Sequence, residues 1–239
     1  YWGEHASAKR EYTLKAIAGI DYKISIEYMQ AGAEALLRFD LGVYRHISPE
    51  MVVDRVKEAD IVIFAGGISP SLEGEEMYSV NSPGFAGGDR TSIELPQVQR
   101  DILKALKKAG KKVVFVNCSG SAVALVPEME SCDAILQAWY PGQSGGLAVA
   151  DVLFGDFNPS GKLPVTFYKN TDQLPDFEDY SMKNRTYRYM TEVPLFPFGY
   201  GLSYTTFDIS KGRLNKKTIS AGQDLNFKVN VKNTGKYDG

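Results

Sequence analysis

Hydrophobic and polar residues near the start of the chain alternate with the two-residue period of a β-strand. In DYKISIEYM, residues 21–29, four apolar positions alternate with lysine, serine and glutamate. This alternation is typical of a strand with one buried face and one solvated face. The neighbouring stretches EYTLKAIAG and ALLRFDLG have a similar character and are separated from it by glycine-containing turns. Residues 1–43 are therefore predicted to be strands from the end of a β domain.

The pattern changes to alternating helices and strands from residue 44 onward. A helix is predicted to begin at Ser48-Pro49, because serine caps helix N-termini and proline is favoured at the first helical position. A second amphipathic helix is predicted in ELPQVQRDILKALKKAG, with Gly110 as its stop. Its apolar face would consist of Val98, Ile102, Leu103 and Leu106.

Apolar runs of strand length lie between these helices. IVIFA at residues 61–65 is predicted to be a buried strand, followed by strands in KKVVFVN and AILQAWY and a small-residue helix in SGGLAVADVLFG. Continuous apolar strands that alternate with helices indicate the α/β class. Residues 44–205 are predicted to form an α/β sandwich, a mostly parallel sheet with helices on both faces.

The two-residue period returns near the C-terminus. In DLNFKVNVKN, four apolar residues again alternate with polar ones. Residues 206–239 are therefore predicted to open a small antiparallel β-sandwich. The chain also begins without an initiator methionine or signal-like segment, and it stops on turn residues. These features predict a segment of a longer protein.

Composition excludes several classes of partner. The net charge of −2 over 239 residues argues against nucleic acid or an anionic membrane surface as the main partner. No apolar run approaches the ~20 residues of a membrane helix. Two cysteines, Cys118 and Cys132, and two separated histidines give neither a disulfide framework nor a metal-ligand cluster. No metal or cofactor is expected.

The most distinctive polar feature is an acidic loop just after the first predicted strand of the α/β region. Glu73, Glu75 and Glu76 lie within the stretch IVIFAGGISPSLEGEEMYSVNSPGFAGGDR, residues 61–90. Sites in open α/β sheets gather beyond the carboxyl ends of strands, although a solvated loop would also account for the charges. Crowded like charges raise the pKa of one member, and a protonated glutamate near neutral pH suits general-acid catalysis. The same segment lacks the glycine spacing of a phosphate loop and the length of a calcium loop.

Several longer strings resemble the C-terminal half of glycoside hydrolase family 3, which contains β-glucosidases, β-xylosidases and related exo-acting enzymes. The strings are AGGISPSLEGEEM, VVFVNCSGSAVAL, AWYPGQSGGLAVADVLFGDFNPSGKLPVTFY, DYSMKNRTYRYM and PLFPFGYGLSYTTF. The resemblance covers roughly residues 47–239. Residues 1–43 resemble the end of a PA14-type domain, and residues 206–239 resemble the start of a fibronectin type III-like domain.

The resemblance implies an active site built from two domains. In the family, a TIM barrel supplies a nucleophilic aspartate and the following α/β domain supplies the acid/base glutamate of a retaining mechanism. This chain contains no candidate barrel. The implied partners are therefore a glycoside or oligosaccharide substrate and an N-terminal barrel of the same protein, in a periplasmic or secreted setting. The alternative is a non-catalytic carbohydrate-binding or scaffold module.

The same resemblance points to one glutamate of the loop. Xylosidase-like members resemble G-I-x-x-x-[IL]-E-x-E with the second glutamate as acid/base, and GISPSLEGE places that role on Glu75. Glu73 then falls on the first glutamate, with a supporting role, and it is the runner-up; Glu76 is the third alternative. This sequence departs from the simplest pattern because EMYSVNSPGFAG separates these residues from Asp89-Arg90.

Other polar and aromatic residues receive structural interpretations. Asp89 and Arg90 are predicted to form an ion pair that anchors the base of the loop, whose residues 68–88 are expected to be exposed. NCSGS, residues 117–121, does not have the G-x-S-x-G pattern of a serine hydrolase. Trp139 and Tyr140 could stack on a sugar, although aromatic residues at strand ends more often belong to the core.

Overall fold

The computed structural model describes residues 11–29, 37–43, 45–74 and 81–239. The chain divides into two compact units, Tyr1–His46 and Ile47–Gly239. The elements of the second unit, in chain order, are α1 (Pro49–Arg55), β1 (Ile61–Gly67), β2 (Asn81–Ser82), β3 (Phe85–Ala86), β4 (Asp89–Arg90), α2 (Gln97–Lys108), β5 (Lys112–Cys118), α3 (Val126–Ser131), β6 (Ala134–Gln137), α4 (Gly145–Phe154), a 3-10 helix (Thr171–Gln173), α5 (Thr186–Tyr189), β7 (Phe207–Ile209), β8 (Arg213–Leu214), β9 (Phe227–Lys228) and β10 (Val231–Asn233).

The described parts of the first unit are irregular, so the strand prediction for DYKISIEYM is wrong. Residues 11–29 and 37–43 contain a turn around Gly19 and no assigned strand. The apolar side chains of the alternating pattern are exposed. A half-buried strand needs a neighbouring strand and a covered face, and the described residues of this unit supply neither. The rest of residues 1–43 lies outside the described residues.

The centre of the second unit is a parallel sheet in the order β1-β5-β6. The register pairs Gly67 with Cys118 and Asn117 with Gln137, so the carboxyl ends of all three strands meet at one edge. Phe115 and Val113 of the central strand β5 are fully buried. The predicted α/β fold is confirmed, because parallel strands are joined through helices as the alternating pattern required.

The edge strand β1 is less buried than predicted. Val62 and Phe64 pack against the core, whereas Ile61 and Ile63 on the other face remain 56% and 52% exposed. Successive side chains of a strand point to opposite faces, so only one face of β1 meets the core. The prediction of a strand at 61–65 is confirmed, and the prediction that it is buried holds for one face alone.

The two predicted helices begin and end for local reasons. Ser48 Oγ accepts a hydrogen bond from the Met51 N–H at 3.4 Å and Pro49 is the first residue of α1. Leu103 and Leu106 of α2 are fully buried, whereas Val98 in its first turn is exposed. Gly110 adopts φ +74° just after α2, as a C-terminal stop requires.

Two of the sequence segments that carry the family resemblance, those containing Phe167 and Phe196, are joined by backbone hydrogen bonds. Phe167 and Phe196 exchange backbone hydrogen bonds of 2.9 and 3.1 Å, and Leu163 N–H donates to Tyr200 O at 2.8 Å. Phe167 is buried, and its ring lies edge-on to Trp139 with 6.1 Å between the ring centres. These motifs therefore serve packing of the domain.

The C-terminal segment forms short antiparallel pairs. β7 pairs with β10 and β8 with β9. The predicted strand in DLNFKVNVKN is two short strands, Phe227–Lys228 and Val231–Asn233, instead of one.

Candidate active site

The acidic loop starts at a point where the backbone is tightly fixed. Gly67, the last residue of β1, adopts φ +122°, and a Cβ there would lie 2.0 Å from Cys118 O. The Gln99 side chain accepts from Gly67 N–H at 2.8 Å and donates to Gly67 O at 2.7 Å. Ile68 N–H donates to Cys118 O at 2.9 Å. The strand end therefore requires glycine, and α2 and β5 together set the direction in which the loop leaves.

A short turn then brings Glu73 back toward the sheet. Leu72 and Glu73 N–H both donate to Ser69 O, at 2.9 and 3.1 Å. The Glu73 side chain is 27% exposed, and its carboxylate accepts a hydrogen bond from Ser121 Oγ at 3.3 Å and lies 3.9 Å from Arg90 Nη1. Glu73 is thus bound to side chains at the base of the loop.

The return of the loop is a small antiparallel meander, β2-β3-β4. Phe85 of this meander is buried and belongs to the core, as does Ile68 at the loop start. The expectation of an exposed loop is therefore wrong for these residues, because the loop contributes its own apolar side chains to the domain. Burial of Phe85 fixes β4 and hence Arg90.

Arg90 is nearly buried at the base of the loop. Only 11% of it is exposed. Nη1 donates to Ser121 Oγ at 2.7 Å and to Ala122 O at 3.2 Å, and Nε donates to Ser92 O at 3.2 Å. Burial lowers the pKa of the guanidinium, and the negative charges of Glu73 and Glu94 oppose that shift.

The predicted pairing of Arg90 with Asp89 is wrong. Among the described residues, the carboxylate paired with Arg90 is Glu73, which comes from the other end of the loop. Asp89 and Arg90 are adjacent on a β-strand, so their side chains point to opposite faces. The predicted anchoring role is retained by Arg90 with a different partner.

The two other glutamates of the loop, Glu75 and Glu76, lie outside the described residues. Their roles remain predictions. Of the three candidate carboxylates, the structure thus describes Glu73 alone, and it holds that residue at the base of the loop.

Residues at and just after the carboxyl end of β5 form a buried polar cluster. Asn117 Nδ2 donates to Gln137 Oε1 at 2.6 Å and lies 3.3 Å from Ser119 Oγ. Ser119 Oγ in turn donates to Ser121 O at 2.9 Å. Asn117 and Ser119 are fully buried. These contacts stabilise the turn that presents Ser121 to Arg90 and Glu73.

The aromatic residues after β6 follow the core interpretation more than the sugar-stacking one. Trp139 adopts φ +56° and packs its ring against the Phe167 ring. Tyr140 remains half exposed, but its hydroxyl donates to Ile68 O at 2.8 Å. Tyr140 thus ties β6 to the start of the acidic loop.

Sequence reasoning missed Glu94, whose carboxylate binds a segment that is distant in the chain. Its carboxylate accepts from Thr171 N–H at 2.9 Å, from Thr171 Oγ1 at 2.6 Å, and from Ser92 Oγ. Burial raises the pKa of Glu94, but the Ser92 and Thr171 hydrogen bonds dominate and lower it to about 2. No sequence signal identifies this contact, since its partners lie far apart in the chain.

Neither a metal site nor a membrane-spanning helix has support among the described residues. No group of three or more His, Cys, Asp and Glu side chains in that part of the chain could hold a metal ion. The helices it contains are too short or too polar to cross a membrane.

The chain matches the family described as glycosyl hydrolase family 3 C-terminal domain over residues 2–204. It is 58% identical over 227 residues to the xylan 1,4-beta-xylosidase of Xylanibacter ruminicola. The match covers 95% of this chain and 26% of that protein. It is 40% identical over 208 residues to the periplasmic beta-glucosidase of Salmonella typhimurium, covering 80% of this chain and 26% of the relative. The chain thus spans about a quarter of the length of these relatives.

Solved structures give the same fold. A β-glucosidase from Erythrobacter marinus matches with a TM-score of 0.66 and 36% identity, covering 78% of this chain and 24% of that one. A β-glucosidase from Listeria innocua, solved in complex with glucose, matches with a TM-score of 0.60 and 30% identity, covering 80% of this chain and 27% of that one.

Proposed function

Because the chain belongs to the glycosyl hydrolase family 3 C-terminal domain family, we propose that it is the C-terminal part of a retaining, exo-acting β-glycosidase. Its substrates are glycosides or oligosaccharides with a terminal β-linked sugar. Identity of 58% to a β-xylosidase, against 40% to a β-glucosidase, favours the β-xylosidase type. The relative named as periplasmic supports a periplasmic or secreted setting.

The proposed contribution of this chain is the general acid/base, Glu75. In a retaining mechanism, one carboxyl group donates its proton to the departing oxygen while a carboxylate attacks the anomeric carbon. The resulting carboxylate then removes a proton from water, which cleaves the glycosyl ester and restores the acid. The reaction requires no metal or cofactor.

The observation that carries the proposal is the fixed position of Glu73 beside the carboxyl edge of the sheet. Glu73 is held by Ser121 and Arg90. This anchored carboxylate lies at the edge where α/β sheets place their sites. With its carboxylate bound to the loop base, Glu73 fits the supporting role.

The nucleophile belongs to a TIM barrel in the remainder of the proposed full-length protein. The nucleophilic carboxylate of a retaining enzyme lies only about 5–5.5 Å from the acid/base, so the two domains share one site. We therefore expect the 239-residue chain by itself not to hydrolyse aryl β-glycosides. In the same proposal, residues 1–43 end a PA14-type domain and residues 206–239 begin a fibronectin type III-like domain.

A leaving-group series in the full-length protein tests the role of Glu75. Glu75→Gln should reduce kcat/KM for aryl β-xylosides with weakly acidic phenols by about 10²- to 10⁴-fold, because their oxygen needs protonation as it departs. Substrates with strongly acidic phenols should lose far less. Glu76→Gln is the matched control. It should leave the ratio of kcat/KM for weakly acidic phenols to kcat/KM for strongly acidic phenols near that of the unmodified enzyme.

An equal loss for all leaving groups in Glu75→Gln would contradict the assignment. A selective loss in Glu73→Gln with Glu75→Gln unaffected would move the acid/base role to Glu73.

A non-catalytic carbohydrate-binding module is the second class of function. The strong identity to named glycosidases favours the enzymatic proposal over it.

A further inference from the structure

The helices α1, α2 and α3 lie over one face of the central parallel sheet. Leu103 of α2 belongs to the core cluster that contains Phe115 of β5, and Val53 of α1 packs against this cluster. Arg100 of α2 donates to the Glu128 carboxylate of α3 at 2.9 Å, which holds α3 beside α2. Right-handed crossovers from β1 to β5 and from β5 to β6 run in one direction along the sheet, so they place both of their helices on the same side.

The opposite face of the sheet is apolar and open along β1. Ile61, Ile63 and Ala65 are exposed, and they alternate with Val62 and Phe64, which pack against the core. We call these three exposed residues the open face of β1. Parallel sheets are normally covered on both faces, because their strands are apolar on both sides. The open face therefore fits a strand whose second cover is not supplied by the described residues.

The strand β1 also has an outer edge without a partner strand. In the sheet formed by the described residues, β1 stands at the end of the order β1-β5-β6 and pairs with β5. Its outer edge carries backbone N–H and C=O groups that can pair with a further strand. The pairing would stop before Gly67, because the Gln99 side chain already bonds the backbone N–H and C=O of that residue.

Strands added beyond β1 would bring helices to the open face. Crossovers between parallel strands are right-handed in nearly all proteins. Crossovers that run from β1 toward β6 lie over the face that carries Phe115, so crossovers that run the other way, away from β5, lie over the open face. Added strand-and-helix units would therefore satisfy the outer edge and the open face together.

The remainder of the proposed longer protein is large enough to supply these units. The chain corresponds to 26% of the Xylanibacter ruminicola relative and to 24% of the Erythrobacter marinus structure. A second copy of the chain fits the open face less well. A two-fold axis at the outer edge would pair β1 with its own copy in antiparallel fashion, which extends the sheet and leaves the open face uncovered.

We propose that the remainder of the full-length protein adds a parallel strand to the outer edge of β1 and covers the open face with helices. This inference rests on the proposed function, because that proposal places the chain within a longer protein. The cover would also hold β1 in place, and the acidic loop leaves from the carboxyl end of this strand at Gly67.

Thiol labelling of the native full-length protein tests whether the open face is covered. Ile63→Cys places a small apolar thiol in the middle of this face. The protein is treated with N-ethylmaleimide, and peptide mapping reads residue 63 separately from other cysteines. We expect residue 63 to be labelled at least about 100-fold more slowly in the native protein than in urea, because a covered thiol reacts only through local opening.

Met129→Cys is the matched control. Met129 lies on α3, over the other face, and is 49% exposed against 52% for Ile63. Its labelling rate in the native protein should stay within about 10-fold of the rate in urea. If Ile63→Cys is labelled as fast as Met129→Cys, the open face is uncovered and the proposal is wrong. Ala65→Cys provides the same comparison if Ile63→Cys does not fold.

Photocrosslinking identifies what covers the open face. Ile61, the first residue of β1, is replaced by p-benzoylphenylalanine in the full-length protein, which is then illuminated in its native state. We expect crosslinks to residues of the same polypeptide that lie outside these 239 residues. Crosslinks to a second polypeptide would assign the face to a dimer, and crosslinks to residues 1–46 would assign it to the first unit. Either result would overturn the proposal.

The labelling and the activity assays fail independently of each other. If residue 63 is protected while Glu75→Gln leaves the dependence on the leaving group unchanged, the acid/base assignment is wrong and the covered face stands. If Glu75→Gln shows the selective loss and residue 63 is labelled freely, the proposed function stands and the covered face is wrong.

Discussion

Two carboxylates near the loop, Glu73 and Glu94, are held by partners from distant parts of the sequence. Glu73 binds Ser121 and Arg90, and Glu94 binds Thr171. Both of these carboxylates are committed to hydrogen-bond donors or a cation. At the residue scale, the functional prediction therefore depends on Glu75.

Glu94 should make stability dependent on pH in the acid range. Its folded-state pKa of about 2 lies below the ordinary value of 4.5, so its stabilisation is complete above pH 4.5 and is lost as the pH falls toward 2. Glu94→Gln should lower the free energy of unfolding of the chain by about 1–3 kcal/mol at pH 7 and by little near pH 2. Urea unfolding at several pH values measures this difference.

The exposed Glu178→Gln is the control for that series, since it removes a carboxylate that is open to solvent. A destabilisation by Glu94→Gln that is the same at pH 7 and pH 2.5 would show that the hydrogen bonds to Thr171 do not depend on ionisation.

At the scale of elements, the end of β1 is the point on which the loop depends. Gly67→Ala should destabilise the chain by about 3 kcal/mol or more, because the new Cβ would meet Cys118 O at 2.0 Å and the backbone has φ +122°. Gly110→Ala is the matched control. It also has a positive φ, of +74°, but no atom lies within 4 Å of the new Cβ, so its cost should be only about 1–2 kcal/mol.

Thermal unfolding of the two variants measures the difference between them. Equal losses of stability would mean that the close approach of β1 to β5 can relax, and that the loop start is less rigid than the structure indicates.

The elements predicted from sequence were those with strong local signals. Ser48-Pro49, the apolar stripe of α2 and the runs in β1 and β5 each depend on residues close in the chain. The strand pattern at residues 21–29 failed because alternation alone does not supply a partner strand. The exposed face of β1 was missed for a related reason, since burial depends on what lies opposite.

The sequence predicts the candidate site only in part, because local patterns do not encode contacts between residues that are distant in the chain. The acidic loop was located by its position after a strand, and the family resemblance distinguished among its glutamates. The contacts Arg90–Glu73, Ser121–Glu73 and Thr171–Glu94 join residues far apart in sequence, so no local pattern encodes them.

At the scale of the whole molecule, this chain corresponds to about a quarter of its relatives. In the proposed function, an acid/base from this chain acts together with a nucleophile from the remainder of the protein. Each domain would then be necessary, and neither alone sufficient, for turnover.

Azide rescue of Glu75→Ala in the full-length protein is the decisive experiment for the acid/base assignment. Azide attacks the glycosyl-enzyme intermediate without needing a general base, so it replaces the second role of the missing residue. With a strongly acidic phenol as leaving group, we predict that added azide restores turnover and yields a β-glycosyl azide. Glu73→Ala should show no such rescue. Rescue of Glu73→Ala with none for Glu75→Ala would move the acid/base role to Glu73, and an azide product of α configuration would rule out the retaining mechanism.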